Sequence, residues 1–133
     1  MGTVSPLERD WTSRVGPTVN GGGPALRLSA GLVAARDPED ERALSLIGRL
    51  DGTASRALRH LLRGMLRRCT PGMLITVDLS GVTTADVSGL SALVVIQRLA
   101  TARRCALTLR EPSVAVTAAL AAHRLDGTFT VVR

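Results

Sequence analysis

Hydrophobic and polar residues alternate in three clear blocks in the middle of the chain. Residues 73–77 (MLITV) form a short apolar run, which is typical of a buried strand. Residues 78–86 are mostly polar and predict a loop. Apolar residues return from Val87 to about Arg103 and predict a helix. Because the loop and the start of the helix follow a strand, we expect them at the carboxyl end of a sheet, where open α/β sheets place their working residues.

Two apolar segments and a helix are predicted before this unit. Residues 25–35 predict a first strand with a weak point at residues 29–31, and residues 43–50 predict a second strand that forms a hairpin with it. Residues 54–68 predict a helix capped by Thr53 or Ser55. Leucine and methionine recur in it at helical spacing, so one face should pack on the sheet. These residues are Leu58, Leu61, Leu62, Met65 and Leu66.

The end of the chain predicts one more helix between two strands. Residues 105–110 alternate like a strand with one solvated face, Ser113 should cap a helix over residues 114–123, and residues 128–132 form a final strand. The predicted order is ββαβαβαβ. This order predicts an α/β fold with a mixed sheet of about five strands, flanked by about three helices.

Composition narrows the possible functions. The 17 basic residues are all arginine and the net charge is +6, but the arginines are dispersed and only Phe129 and Trp11 are aromatic. Nucleic-acid binding is therefore not expected, because neither a basic patch nor a stacking platform is present. Four of the arginines lie on the polar face of the first helix, which favours a solvated surface, with docking of an acidic partner as the alternative. They are Arg56, Arg59, Arg63 and Arg67.

Several features predict a cytoplasmic protein. Cys69 and Cys105 are too few for a disulfide framework or a metal site and should be reduced thiols. No run reaches the roughly 18 apolar residues of a membrane helix, and no signal pattern opens the chain. Residues 1–24 are rich in glycine, proline and hydroxyl residues and predict a flexible tail, leaving residues 25–133 as the folded domain. Trp11 is either exposed in this tail or docked back on the domain.

Three motifs resemble one family. Residues 78–82 (DLSGV), Asp86 and residues 88–90 (SGL) are similar to the signature of the STAS domain, the family of anti-sigma factor antagonists. Residues 46–51 (LIGRLD) and residues 111–113 (EPS) are similar to two further motifs of that family, in the same order and spacing. The resemblance runs from about Ala25 to the carboxyl terminus. It implies a STAS-like fold whose partner is an anti-sigma factor of the serine-kinase type.

The resemblance fails at one position. In that family the serine after the loop aspartate is phosphorylated by the partner kinase, and here this position is Val87, which cannot be phosphorylated. Three interpretations remain open. The protein binds its partner constitutively, or a neighbouring hydroxyl (Ser88, with Thr83 and Thr84 less directly) is the phosphoacceptor instead, or the domain is a non-catalytic scaffold or accessory subunit of a larger sensory or transport complex.

The partner-binding surface is predicted from the same motifs. Asp86 should cap the helix and take part in recognition, as should Val87 and Ser88. Gly89 either allows close approach of a partner or loop, or only relieves packing against the sheet. The remaining predicted contacts are Leu90, Thr84, Asp51 and Thr53, of which the last two lie at the same sheet end only if the strands are parallel.

An enzyme is not expected. The chain lacks a nucleophile elbow, a paired metal-ligand spacing and a phosphate-binding glycine loop. A triad of Ser88, Asp86 and His123 can be imagined, but His123 stands at the far end of another helix. The sequence therefore predicts no catalytic residue, no metal and no cofactor. It favours an anti-sigma factor antagonist that acts by protein–protein binding.

Overall fold

The structure is a computed structural model that describes residues 25–133. The predicted tail and Trp11 lie outside the described residues. Within residues 25–133, six strands and three helices follow one another in a regular order. They are β1 (Ala25–Ser29), β2 (Leu32–Arg36), β3 (Ala43–Leu50), α1 (Gly52–Arg67), β4 (Leu74–Ala85), α2 (Val87–Ala102), β5 (Ala106–Arg110), α3 (Val114–Ala122) and β6 (Thr130–Val132).

The sheet is mixed, and its strands lie side by side in chain order. β1, β2 and β3 are antiparallel, whereas β3, β4, β5 and β6 are parallel. Each parallel connection steps one strand in the same direction, so right-handed crossovers bring all three helices to one face of the sheet. The hydrophobic core lies between that face and the helices, with Leu46, Val77 and Leu109 fully or almost fully buried. The predicted α/β class is confirmed.

The first predicted strand is two strands. Residues 25–35 form a hairpin in which Ala25 pairs with Ala35, and the chain reverses at residues 30 and 31. The Gly31 amide donates to Ser29 Oγ at 3.2 Å, and the Gly31 carbonyl accepts from the Arg49 amide at 2.7 Å. These bonds satisfy the backbone of the reversal, so the weak point in the sequence is a turn. In the part of the chain that the structure describes, the sheet therefore has six strands rather than about five.

The polar segment after residue 77 is not a loop. β4 continues to Ala85 because Leu79 and Val82 point into the core, while Ser80, Thr83 and Thr84 remain exposed. The second half of β4 pairs with β3, from Ile47 opposite Gly81 to Leu50 opposite Ala85, and only residues 74–78 also pair with β5. The strand therefore projects beyond β5 and ends directly at Asp86.

Two smaller predictions also need correction. α1 begins at Gly52 with Asp51 as its N-cap, so neither Thr53 nor Ser55 caps it. Strand β5 has no solvated face in its middle, where Leu107, Thr108 and Leu109 are all buried. Ser113 caps α3 as predicted, with its Oγ accepting from the Val116 amide at 3.3 Å.

Candidate functional site

Two helix amino ends lie side by side at the carboxyl end of the parallel strands. Leu50 and Ala85, the last residues of β3 and β4, are partners in the sheet. The Asp86 amide donates to the Leu50 carbonyl at 3.2 Å, which ties the second strand–helix junction to the first. α1 and α2 therefore start next to each other. We call the exposed residues at these two starts, Thr53, Thr84, Asp86, Val87 and Ser88, the amino-end surface.

Close packing of backbone on backbone holds this surface together. A Cβ at Gly89 would lie 2.1 Å from the Leu50 oxygen and 2.8 Å from the Asp51 nitrogen. A Cβ at Gly52 would lie 3.1 Å from the Cβ of Ser88. The first turn of α2 thus rests directly on the β3–α1 junction. The close contact of Gly89 is therefore with the backbone of the same chain, at the end of β3 and its junction with α1.

An aspartate caps each helix. Asp86 Oδ1 accepts a hydrogen bond from the Gly89 amide at 2.8 Å, as predicted. Asp51 Oδ1 accepts from the Thr53 hydroxyl at 2.5 Å and from the Thr53 amide at 3.0 Å. These two bonds, the side-chain bond first, lower the pKa of the Asp51 carboxyl below its ordinary value. The two carboxylates occupy the positive ends of the two helix dipoles, which favour negative charge.

Val87 projects from this surface into solvent. Its side chain is 46% exposed at the first position of α2. Exposed large apolar side chains are few among residues 25–133; the others are Leu74, Val114 and Val132. An exposed valine beside two capping carboxylates is a small apolar contact point on a polar surface.

The predicted site residues separate into two groups. Thr53, Thr84, Asp86 and Ser88 are exposed, and Asp51 is partly exposed, all at the same edge of the sheet. Gly89 and Leu90 are buried, with Leu90 fully so. Leu90 was expected to contact a partner, but its side chain packs in the core and supports the surface from beneath.

A contact between two serines of this region was not predicted. Ser55 Oγ and Ser91 Oγ lie 3.3 Å apart and join α1 to α2, and the Ser91 hydroxyl also donates to the Ser88 carbonyl at 2.6 Å. Their sequence separation of 36 residues gives no local sign of this contact. Only the side-by-side packing of the two helices brings them together.

No other chemistry is assembled here. Within residues 25–133, no group of three or more histidine, cysteine or carboxylate residues is arranged to hold a metal ion. No helix in the same range has the length and apolar character needed to cross a membrane. The amino-end surface offers hydrogen-bonding groups and one apolar side chain, which suits contact with another protein.

A family model described as "Mlab, STAS domain" matches residues 33–133, which is most of the chain. This chain belongs to the STAS domain family. A solved structure with the same fold is that of a Thermotoga maritima protein named as a candidate anti-sigma factor antagonist. It superimposes with a TM-score of 0.56 at 17% sequence identity, covering 71% of this chain and 81% of that chain. No curated protein matches this STAS domain protein.

Proposed function

We propose that this STAS domain is an anti-sigma factor antagonist that binds an anti-sigma factor of the serine-kinase type through the amino-end surface. The exposure of Val87 at the first turn of α2 carries the proposal, because a contact residue must be accessible to its partner. The name of the Thermotoga maritima protein, which shares the fold, supports an anti-sigma factor as the partner. We also expect the protein in the cytoplasm, where such partners work.

Binding should not depend on phosphorylation at residue 87. A helix amino end accommodates a phosphate through its free amides and its dipole, and the added charge of about −1.5 to −2 changes the surface that a partner must cover. Valine carries no hydroxyl and cannot make this change. The surface is therefore constant, and the valine adds apolar contact area.

A matched pair of variants tests the surface. Val87 and Val114 are both exposed valines at the first position of a helix, and a side-chain oxygen caps each helix. We expect Val87→Asp to weaken binding to a kinase-type anti-sigma factor of the same organism by about 100-fold, a hot-spot effect of about 2–3 kcal/mol. Val114→Asp should leave the affinity unchanged. Equal affinities of both variants in calorimetry would reject this surface as the binding site.

Mass spectrometry tests whether the protein is phosphorylated by its partner. Incubation with the partner kinase and ATP should leave the mass of this protein unchanged, whereas Val87→Ser should gain one phosphate. Ser88 is exposed and is the nearest hydroxyl, but it points about 100° around α2 from residue 87. A phosphate mapped to Ser88 in the unaltered protein would contradict constitutive binding.

A second candidate is a non-catalytic accessory subunit of a sensory or transport complex. The description of the matching family model, "Mlab, STAS domain", does not mention an antagonist, so the accessory-subunit function stays a candidate. Affinity capture from native cells separates the two. If the unaltered protein captures an anti-sigma factor and Val87→Asp does not, the antagonist function is supported. If membrane or sensory proteins are captured and no anti-sigma factor is, the accessory-subunit function is supported.

Nucleic-acid binding is tested by a titration with duplex DNA. We expect no steep dependence of affinity on salt concentration.

A further inference from the structure

A groove runs between the edge strand β1 and the carboxyl-terminal half of α1. Its volume is about 520 Å³, within the range of small-molecule sites. The floor and walls are mainly apolar, from β1, from α1 and from the residue before β4. The apolar side chains that line it are Leu26, Leu28, Ala57, Leu61, Met65 and Met73.

Positive charge surrounds this apolar groove. Arg27, Arg42 and Arg68 line it and are exposed, and Glu41 is the single acid among the described lining residues. Arg42 makes one long contact with Asp40, at 3.7 Å. No ion pair is recorded for Arg27 or Arg68 within residues 25–133. Arg36 also lines the groove and interacts with other residues of the protein.

One glycine in the wall of the groove is not required by close packing. Gly64 lies inside α1 and lines the groove, and a Cβ built there would meet no atom within 4 Å. Glycine is less favourable than alanine inside a helix. The fold itself therefore gains nothing from this glycine. Its one structural consequence is space beside Leu61 and Met65, where a larger side chain would fill the groove.

We propose that this groove binds a small amphiphilic anion, a single apolar chain that ends in a carboxylate. The chain would lie on the leucine and methionine side chains, and methionine adapts readily to irregular ligands. The carboxylate would accept hydrogen bonds from the guanidinium groups at the rim, whose fork geometry matches a carboxylate. These arginines also offset the partial negative charge at the carboxyl end of α1.

This site is separate from the amino-end surface. Arg68 and Thr53 stand at opposite ends of α1, 15 residues apart, which is about 22 Å along a helix. None of the residues of the amino-end surface lines the groove. Ligand binding here can therefore be tested whether or not an anti-sigma factor is the partner.

Three probes with the same twelve-carbon chain and different head groups test the ligand class. Dodecanoate, dodecyltrimethylammonium and dodecyl maltoside are titrated, below their micelle concentrations, into the isotope-labelled full chain. We expect dodecanoate to bind one per chain, to shift the amides of Leu61, Gly64 and Leu28, and to bind at least about ten-fold more tightly than the cation, the effect of one charge-assisted hydrogen bond. Equal binding of all three, or shifts spread over the whole domain, would overturn the proposal.

Groove variants with matched controls locate the site. Gly64→Leu should fill the groove and weaken dodecanoate binding by more than about ten-fold, whereas Gly64→Ala adds only a methyl group and should retain most of the affinity. Arg68→Glu should weaken binding by about ten-fold or more, and Arg67→Glu, an equal charge change beside it at a position that does not line the groove, should not. Unchanged affinity in both Gly64→Leu and Arg68→Glu would place the ligand elsewhere.

Two other occupants of the groove would also contradict the proposal. Trp11 is the single tryptophan of the chain, so its fluorescence reports on its own surroundings. A red shift of its emission in Gly64→Leu without ligand would show that the chain's own amino-terminal residues fill the groove. Dimers in the unaltered protein that Gly64→Leu converts to monomers, measured by sedimentation, would assign the groove to a second copy. Monomers with unchanged tryptophan emission support the small ligand.

Discussion

Gly89 lies in the first turn of α2, beneath the amino-end surface, and Gly64 lines the groove; the surroundings of these two helical glycines are opposite. Gly89 is pressed against the backbone of the β3–α1 junction, so any side chain would collide with it. Gly64 faces open space. The fold requires the first glycine and has no need of the second. The amino-end surface is therefore held in place by close backbone packing, whereas the groove is a space that the packing of β1 and α1 leaves unfilled.

The two regions also offer different chemistry. The amino-end surface presents one exposed valine beside the Asp86 carboxylate and several hydroxyl groups, and none of its residues lines the groove or the smaller cavity beside α3. The groove is concave and apolar, with arginines at its rim. A shallow surface of the first kind suits a protein partner, whereas an apolar hollow with a few polar groups suits a small molecule.

The same substitution in the two helices gives the sharpest test of this contrast. Gly89→Ala places a methyl group against the Leu50 carbonyl and should lower the free energy of unfolding by about 2–3 kcal/mol. Urea unfolding measures this change. A loss below about 0.5 kcal/mol would mean that the first turn of α2 shifts freely, and that the amino-end surface is not held by close packing.

The N-cap of α2 should matter less than this packing. Asp86→Ala removes the hydrogen bond to the Gly89 amide and should cost about 1 kcal/mol of stability. Ser113→Ala at the start of α3 is a matched comparison, since its longer bond to Val116 predicts an equal or smaller loss. A larger loss at Ser113 than at Asp86 would remove the special structural role assigned to the amino end of α2.

Gly64→Ala should act in the opposite direction to Gly89→Ala. Alanine is favoured over glycine inside a helix and meets no neighbour here, so the free energy of unfolding should rise by about 0.5–1 kcal/mol. Thermal or urea unfolding detects this gain. Destabilisation instead would show that Gly64 has a packing role, and the groove would lose its strongest structural argument.

The smallest predicted effect is the pH dependence due to Asp51. Its hydrogen bonds with Thr53 lower its pKa in the folded state below the ordinary value of 3.8. A lowered carboxyl pKa stabilises the fold above the unfolded pKa, and this stabilisation is lost as the pH falls through the folded pKa. The stability difference between the unaltered protein and Asp51→Asn should therefore be constant near neutral pH and shrink below about pH 4. A difference that does not change with pH would exclude the Asp51 carboxylate as its cause.

Local patterns predicted most elements of the fold. The stripe of α1, the apolar run of β4 and the start of α2 at Val87 follow from spacing that short-range geometry imposes. The cap at Asp86 was predicted for the same reason. Two errors arose where tertiary pairing overrides local composition. β3 extends β4 through a polar segment that local composition predicts as a loop, and pairing of β1 with β2 turns one predicted strand into a hairpin.

The candidate sites depended more on contacts distant in sequence. The motif residues around Val87 identified the amino end of α2 because they are consecutive. The hydroxyl contact of Ser55 with Ser91 and the burial of Leu90 were not predictable, because both depend on how α1 packs against α2. The groove is formed by residues of β1, of α1 and of the segment before β4, which are distant in sequence. No sequence motif predicts it.

By itself, the sequence determined that the chain forms an α/β fold and that residue 87, directly after Asp86, is a valine without a hydroxyl group. Both facts depend on residue identity and on short-range spacing. Only the tertiary structure decided which glycine is packed against backbone and which faces empty space. The physical reason is that the room beside a residue is set by other segments of the chain, here Leu50 for Gly89 and the gap between β1 and α1 for Gly64.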